Sequence, residues 1–265
     1  MDTPTPHPAV NALLHEFLPP VRAILGAQFV GAYLFGSLTS GDFDRDSDVD
    51  VVVVTEDTVS DEHFAALHTL HLRLARLDLW CATQLEASYI PRHALRRYDP
   101  AHALHPHIDR GSGDEVLFMM QHDESWIVQR HVLRQRGITL TGPAPATLID
   151  EVSPDDLRQA MRAILDGWAA HILDDPAQMQ ARGYQSYTVL SLCRILYTLR
   201  YESVVSKPAA ARWAQEDLDE QWSPLIARTW DGRHNPGQTA SPDDVDGTLA
   251  FIRYALAQSA GSNTL

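Results

Sequence analysis

Asp48 and Asp50 flank Val49 at the head of a valine run, Val51 to Val54, and Gly36-Ser37 precedes them across ten mostly polar residues. Side chains alternate along a strand, so two acids two residues apart leave the same face and their carboxylates converge. Like charges held that close repel, and a hard divalent cation with oxygen ligands such as Mg2+ removes the repulsion. Gly36 lets a ligand approach the backbone with no side chain in the way. Ser37 offers a hydroxyl and local N–H groups suited to phosphate oxygens, and Ser47, just ahead of Asp48, offers a second hydroxyl. The set suits a metal-bound triphosphate, with Asp48 and Asp50 as metal ligands. A plain acidic turn is the simpler reading, but carboxylates opening a buried run are costly unless something pairs with them.

The elements that must position these groups follow from periodicity. Residues 29–35 and 49–54 read as strands joined by a turn. Ahead of them, Val10, Leu13, Leu14, Phe17, Leu18, Val21, Ile24 and Leu25 repeat at helical spacing, with Pro19-Pro20 as a candidate break. A second helix is expected over 61–77, and its His63, His68 and His71 read as surface histidines. A third extended run, 79–90, contains Cys81 and Glu86 and stops at Pro91. Lying beside the Asp48/Asp50 strand, it would bring Glu86 to the metal as a third carboxylate, or as acceptor of the proton from an attacking hydroxyl. Residues 99–115 read as a mobile loop with His102, His105 and His107 in solvent. A helix over 125–136, a short strand near 138–141 and a proline-containing boundary over 143–153 close the first half.

Beyond that boundary, Ser153-Pro154-Asp155-Asp156 is a helix start, with a capping hydroxyl, a first-turn proline and acids at the positive end of the dipole. Further helices are expected over 184–201, 208–218, 225–230 and 242–257, and no strand pattern follows residue 150. The expected fold class is α+β: a mixed-sheet domain over 1–150 and a helical bundle over 151–265.

With 265 residues, 45% hydrophobic and 21% charged, the chain has the composition of a soluble globular protein. No apolar run is long enough to cross a membrane, and the N-terminus lacks the basic and apolar regions of a signal peptide, so a cytoplasmic monomer with no membrane partner is expected. The two cysteines, Cys81 and Cys193, read as buried thiols. A net charge of −14 argues against nucleic acid, which needs clustered Lys and Arg, and suits a cationic small molecule.

Gly36-Ser37, ten residues and Asp48-Val49-Asp50 resemble the signature of the nucleotidyltransferase superfamily, whose palm-like, polymerase-beta-like sheet this implies. The likeness extends along most of the chain to the adenylyltransferases that modify streptomycin and spectinomycin. It is carried by Gln84-Leu85-Glu86, by Gly142-Pro143, by Val189 to Tyr197, by Ser206-Lys207 and by Ala211-Arg212-Trp213-Ala214. The resemblance implies a Mg2+-dependent transfer of AMP from ATP to a hydroxyl of a small cationic acceptor such as streptomycin or spectinomycin. Asp48, Asp50 and Glu86 would be catalytic and metal-binding, and Gly36, Ser37, Ser47, Arg194 and Lys207 nucleotide-binding, in a cleft between the domains. A transferase whose first domain supplies mainly carboxylates needs cations for the leaving pyrophosphate, which is the role Arg194 and Lys207 would fill. The chain departs from the antibiotic-modifying members in one place: where they carry acids at the start of the Arg-bearing helix, it has Tyr184-Gln185-Ser186, with Asp174 and Asp175 further upstream. That departure keeps a second reading open, an ATP-binding regulatory or antitoxin-type protein that acts on a protein partner.

Overall fold

Valine restricts χ1 through its branched Cβ and packs well on a pleated surface, so Val51–Val54 favours extended backbone. In the computed structural model, which describes residues 3–109 and 117–261, this run lies inside a six-stranded sheet. The strands are β1 (Phe29–Leu34), β2 (Val49–Thr55), β3 (Leu85–Pro91), β4 (Leu104–Ile108), β5 (Phe118–Gln121) and β6 (Ile138–Thr141). They are ordered β5-β4-β3-β2-β1-β6, with β2 and β3 parallel and the other neighbours antiparallel.

Both faces of the sheet are covered, which is why β2 reads as an almost continuous apolar run. Val51, Val53, Ala87 and Tyr89 pack on one face with Leu13, Phe17 and Val21 of α1 (Pro8–Leu25). After the short α2 (Ser37–Ser40), Leu67, Leu70 and Leu74 of α3 (Asp61–Leu74) complete that layer. On the opposite face, Tyr33, Phe35, Val52, Val54 and Ile90 meet Leu95 of α4 (Arg92–Arg96), Trp126 and Leu133 of α5 (Ser125–Arg136) and Leu148 of α6 (Pro145–Leu148). Burying one such side chain contributes about 1.5–3 kcal/mol, so these two layers dominate the stability of the sheet. The Tyr33 hydroxyl donates to the Pro143 carbonyl at 2.7 Å and ties the end of the sheet to the boundary segment.

The chain divides into two compact units, Met1–Val152 and Ser153–Leu265. The second contains α7 (Pro154–Asp174), α8 (Arg182–Tyr201), α9 (Lys207–Asp217), α10 (Ser223–Gly232) and α11 (Pro242–Gly261). A capping box opens α7: Ser153 Oγ accepts from the Asp156 amide while the Asp156 carboxylate accepts from the Ser153 amide. α8 is the hub. Its Arg182 donates to Asp244 Oδ2 at 2.7 Å, Arg228 donates to Asp244 Oδ1 at 2.8 Å, and Gln185 donates to Thr248 Oγ1 at 2.9 Å. Among the described residues an isolated bridge, Ala181 with Thr239, is the extended pairing of this unit, and no helix is long and apolar enough to cross a membrane.

The structure corrects several expectations. α1 runs unbroken through Pro19-Pro20. The lost amide donors would have bonded the carbonyls of His15 and Glu16, on a solvent-facing part of the helix, and buried Phe17 and Val21 on either side hold it to the sheet. Cys81 is not in a strand: the chain turns there into a 3-10 segment, Ala82–Gln84, and β3 begins only at Leu85. His71 is buried, since it sits between Leu67 and Leu74 on the apolar stripe of α3, and it hydrogen-bonds Tyr89 Oη at 2.7 Å. The expected loop over 99–115 contains β4, which buries His105 and His107, while its residues 110–115 lie outside the described residues. β5 had no distinguishable sequence pattern.

Candidate active site

Parallel pairing of β2 and β3 sets Asp50 directly beside Glu86. Partners in this register project from the same face of the sheet, on strands about 4.8 Å apart, so the two carboxylates are neighbours. That face is the one bearing Val52, Val54 and Ile90, opposite α1 and α3. Asp48 precedes β2 by one residue and has the parity of Asp50; all three acids are half-buried. The sheet thus sets Asp50 and Glu86 side by side.

Directly after β1, the Phe35 amide donates to the Asp50 carbonyl at 3.2 Å, which brings the next residue, Gly36, against the Asp50 side chain. Gly36 has φ 64° and ψ −142°, a conformation that side-chain-bearing residues rarely adopt. A Cβ built there would strike Asp50 Oδ2 and lie 2.8 Å from its Cγ. Glycine is therefore required twice over, by backbone conformation and by close approach to the acid. Ser37 Oγ is buried and makes no hydrogen bond, an orphaned group that a phosphate oxygen would satisfy. Ser47 is different: its hydroxyl donates to Asp44 Oδ1 at 2.9 Å and accepts from the Asp44 amide at 3.1 Å, so it closes the turn that presents Asp48.

These donors fit a hard divalent ion. Among the described residues no three His, Cys, Asp or Glu side chains form a group able to hold a metal by themselves. The expected metal-ligand trio of Asp48, Asp50 and Glu86 is therefore not formed; a pair of carboxylates that needs further oxygens to complete a coordination shell suits Mg2+, which keeps waters and takes substrate phosphates rather than entering an all-protein cage. Gly36 and the orphaned Ser37 hydroxyl are where such phosphate oxygens would be received.

In the helical unit, Arg194 lies on α8, half-buried, and Lys207 is the first residue of α9 and the only lysine in the chain. Ser206 caps α9, its Oγ accepting from the Ala209 amide at 3.3 Å. The Lys207 ammonium lies 4.9 Å from the centroid of the Tyr187 ring. At the departure site, Gln185 and Ser186 are buried, and Tyr184 Oη accepts from Trp168 Nε1 at 3.0 Å. Two of the three positions there are thus taken into packing.

Sequence reasoning missed a buried histidine group beside Glu86. Ser88, two residues along the same face of β3, pairs in register with His107 of β4, and Ser88 Oγ and His107 Nδ1 are 2.7 Å apart. His122 stacks on Trp126 with ring centroids 3.8 Å apart, and His105 meets His122 edge-on. Arg130 beneath them donates to the carbonyls of Ala94, Leu95 and Trp126. Burial pushes His105 and His107 down to about 4 and His122 to about 2, so all three are neutral near pH 7. The alternation His105-Pro106-His107-Ile108 was the available signal.

Comparison with known proteins finds relatives for both halves of the chain. The nucleotidyltransferase domain family model matches residues 21–101, and the model for the aminoglycoside adenylyltransferase C-terminal domain matches residues 147–258. A spectinomycin 9-adenylyltransferase of Campylobacter jejuni is 23% identical over 214 residues, covering 77% of this chain and 78% of the relative. One of Staphylococcus aureus is 25% identical over 218 residues, 78% of each chain. An aminoglycoside (3'') (9) adenylyltransferase of Escherichia coli is 33% identical over 131 residues, 48% of this chain and 47% of the relative. The crystal structure of a spectinomycin adenyltransferase from Enterococcus faecialis with ATP and spectinomycin matches with a TM-score of 0.72 at 15% identity, over 94% of this chain and 98% of that one, a likeness of fold. The reading as an ATP-binding regulatory or antitoxin-type protein acting on a protein partner is not favoured by these relatives. With both halves matched, the chain is an enzyme with a nucleotidyltransferase domain, and it is similar along most of its length to aminoglycoside adenylyltransferases.

Proposed function

We propose that this protein transfers AMP from ATP to a hydroxyl of an aminoglycoside-type acceptor such as spectinomycin or streptomycin. The observation that carries the reading is the register of Asp50 beside Glu86, with Gly36 pressed against the Asp50 carboxylate. Asp48 and Asp50 would hold Mg2+, which when bound neutralises phosphate charge and orients the triphosphate. The Gly36-Ser37 corner receives phosphate oxygens through backbone amides and the Ser37 hydroxyl. Glu86, adjacent to Asp50, accepts the proton of the acceptor hydroxyl as that oxygen attacks the α-phosphorus. The new bond is acceptor oxygen to α-phosphorus; the bond that breaks joins the α-phosphorus to the oxygen leading to the β-phosphate, and pyrophosphate leaves. We assign Arg194 and Lys207 to the polyphosphate, where their charge stabilises the leaving group. Ser47 acts through the Asp44 turn that presents Asp48.

Support for the acceptor comes from the relatives, which are named for spectinomycin and for aminoglycoside transfer over the span this chain shares with them. The test is pyrophosphate release from ATP and Mg2+ with spectinomycin, streptomycin and other aminoglycosides, each against an Asp50→Asn blank. Release with one acceptor, lost in the variant, supports both transfer and acceptor. Absence of release with every antibiotic, alongside Mg2+-dependent ATP binding, would overturn the acceptor assignment.

A further inference from the structure

Lys207 occupies an awkward place for a cation. It opens α9, where the positive end of the helix dipole disfavours positive charge. The ring of Tyr187 meets it there, with the ammonium 4.9 Å from the ring centroid, within the range of a cation–π contact. The ring in turn is held from two sides. Trp168 of α7 meets it edge-on at 5.7 Å, and Tyr184, one turn earlier on α8, lies nearly parallel to it at 6.2 Å. Trp168 Nε1 donates to Tyr184 Oη at 3.0 Å, which locks those two supports to each other. An aromatic ring that is 51% exposed yet fixed by two neighbours and capped by the chain's only lysine is poorly explained as core packing. Tyr187 also precedes Arg194 by seven residues, two helical turns, so both side chains leave the same side of α8.

We propose that Tyr187 is a positioning residue for the nucleotide: its ring face holds the Lys207 ammonium where the polyphosphate binds, without neutralising it. A carboxylate in that role would cancel the charge the phosphates need, whereas a ring attracts the cation through its quadrupole and leaves the formal charge intact. The hydroxyl of Tyr187 is not required; the π face is. The proposal rests on the assignment of Lys207 to the polyphosphate.

Calorimetric titration of the full-length protein with ATP and Mg2+ tests it without any acceptor. Tyr187→Phe keeps the π face and should bind within two-fold of the unmodified protein, while Tyr187→Leu should bind about three-fold more weakly. Lys207→Ala should weaken binding about ten-fold or more, and Tyr187→Leu added to Lys207→Ala should cost nothing further. Tyr187→Met serves in place of Leu if the latter lowers the thermal unfolding midpoint. Full affinity in Tyr187→Leu together with a weakened Lys207→Ala overturns the role of Tyr187 and leaves Lys207 on the polyphosphate. An equal loss from Tyr187→Leu on both backgrounds also overturns it, since the ring would then act independently of the lysine. Full affinity in Lys207→Ala overturns the assignment of Lys207 itself and the proposal with it.

Discussion

Replacing Gly36 by alanine separates the site's geometry from ordinary backbone strain, because Gly41 supplies a matched control. Gly36 sits at φ 64°, ψ −142° and Gly41 at φ 77°, ψ 12°, both on the positive-φ side. A Cβ at Gly41 meets nothing within 4 Å, whereas a Cβ at Gly36 collides with the Asp50 carboxylate. Gly41→Ala should therefore cost only the strain of a left-handed alanine, about 1–2 kcal/mol, with turnover unchanged. Gly36→Ala should cost about 1–3 kcal/mol in stability from its rarer conformation and also push Asp50 aside. A displacement of about 1 Å at a reacting centre lowers rate by about 100-fold, or about 2.7 kcal/mol of barrier. Urea unfolding and pyrophosphate release at saturating ATP measure the two effects side by side. Wild-type turnover in Gly36→Ala, or equal losses of turnover in both variants, would refute the placement of Asp50 against Gly36 as a feature of the catalytic geometry.

Acid should unfold the first unit. His71, lowered by burial to about 3, joins His105 and His107 at about 4 and His122 at about 2 as imidazoles that stay neutral when folded. The unfolded chain protonates them near pH 6.5, so their contribution is complete above that pH and is lost as pH falls toward their folded values. The loss is about 1.4 kcal/mol per histidine for each pH unit in that window, enough to exhaust a stability of about 5 kcal/mol near pH 5.5 and of about 13 kcal/mol near pH 4; circular dichroism at stepped pH would contradict this if the fold persisted unchanged to pH 3. Arg130→Met should destabilise by about 3 kcal/mol, because the buried carbonyls of Ala94, Leu95 and Trp126 lose their donor. Unfolding within 0.5 kcal/mol of wild type, which marks a surface substitution, would show that water replaces the guanidinium.

The central strands and the acids were legible because one local rule governs them. Alternation fixes that Asp48 and Asp50 share a face, and the valine run marks a strand buried on both sides. The register that sets Asp50 beside Glu86 was not legible, since it depends on how the crossover through α3 and the 3-10 segment delivers β3. The helices of the second half were legible to within a few residues at each end from caps and apolar spacing, as at Ser153 and Ser206. The histidines escaped because a neutral imidazole has no fixed preference for water or core. His71 became a core residue through Leu67 and Leu74 beside it, and His105 and His107 through a strand whose partner β5 carries no alternation strong enough to announce it. β6 lies at the sheet's far edge beside β1, a long-range pairing that no local pattern in Ile138–Thr141 encodes. The contact between Lys207 and Tyr187 likewise joins residues on successive helices and exists only in three dimensions.

The most direct test of the account is the mass of the acceptor after incubation of spectinomycin and streptomycin with the protein, ATP and Mg2+. A product heavier than one antibiotic by a single adenylyl group, formed by the unmodified protein and absent with a folded Asp50→Asn variant, is the predicted result. The same product formed at the same rate by Asp50→Asn would contradict the assignment of the β2 carboxylates to the transfer.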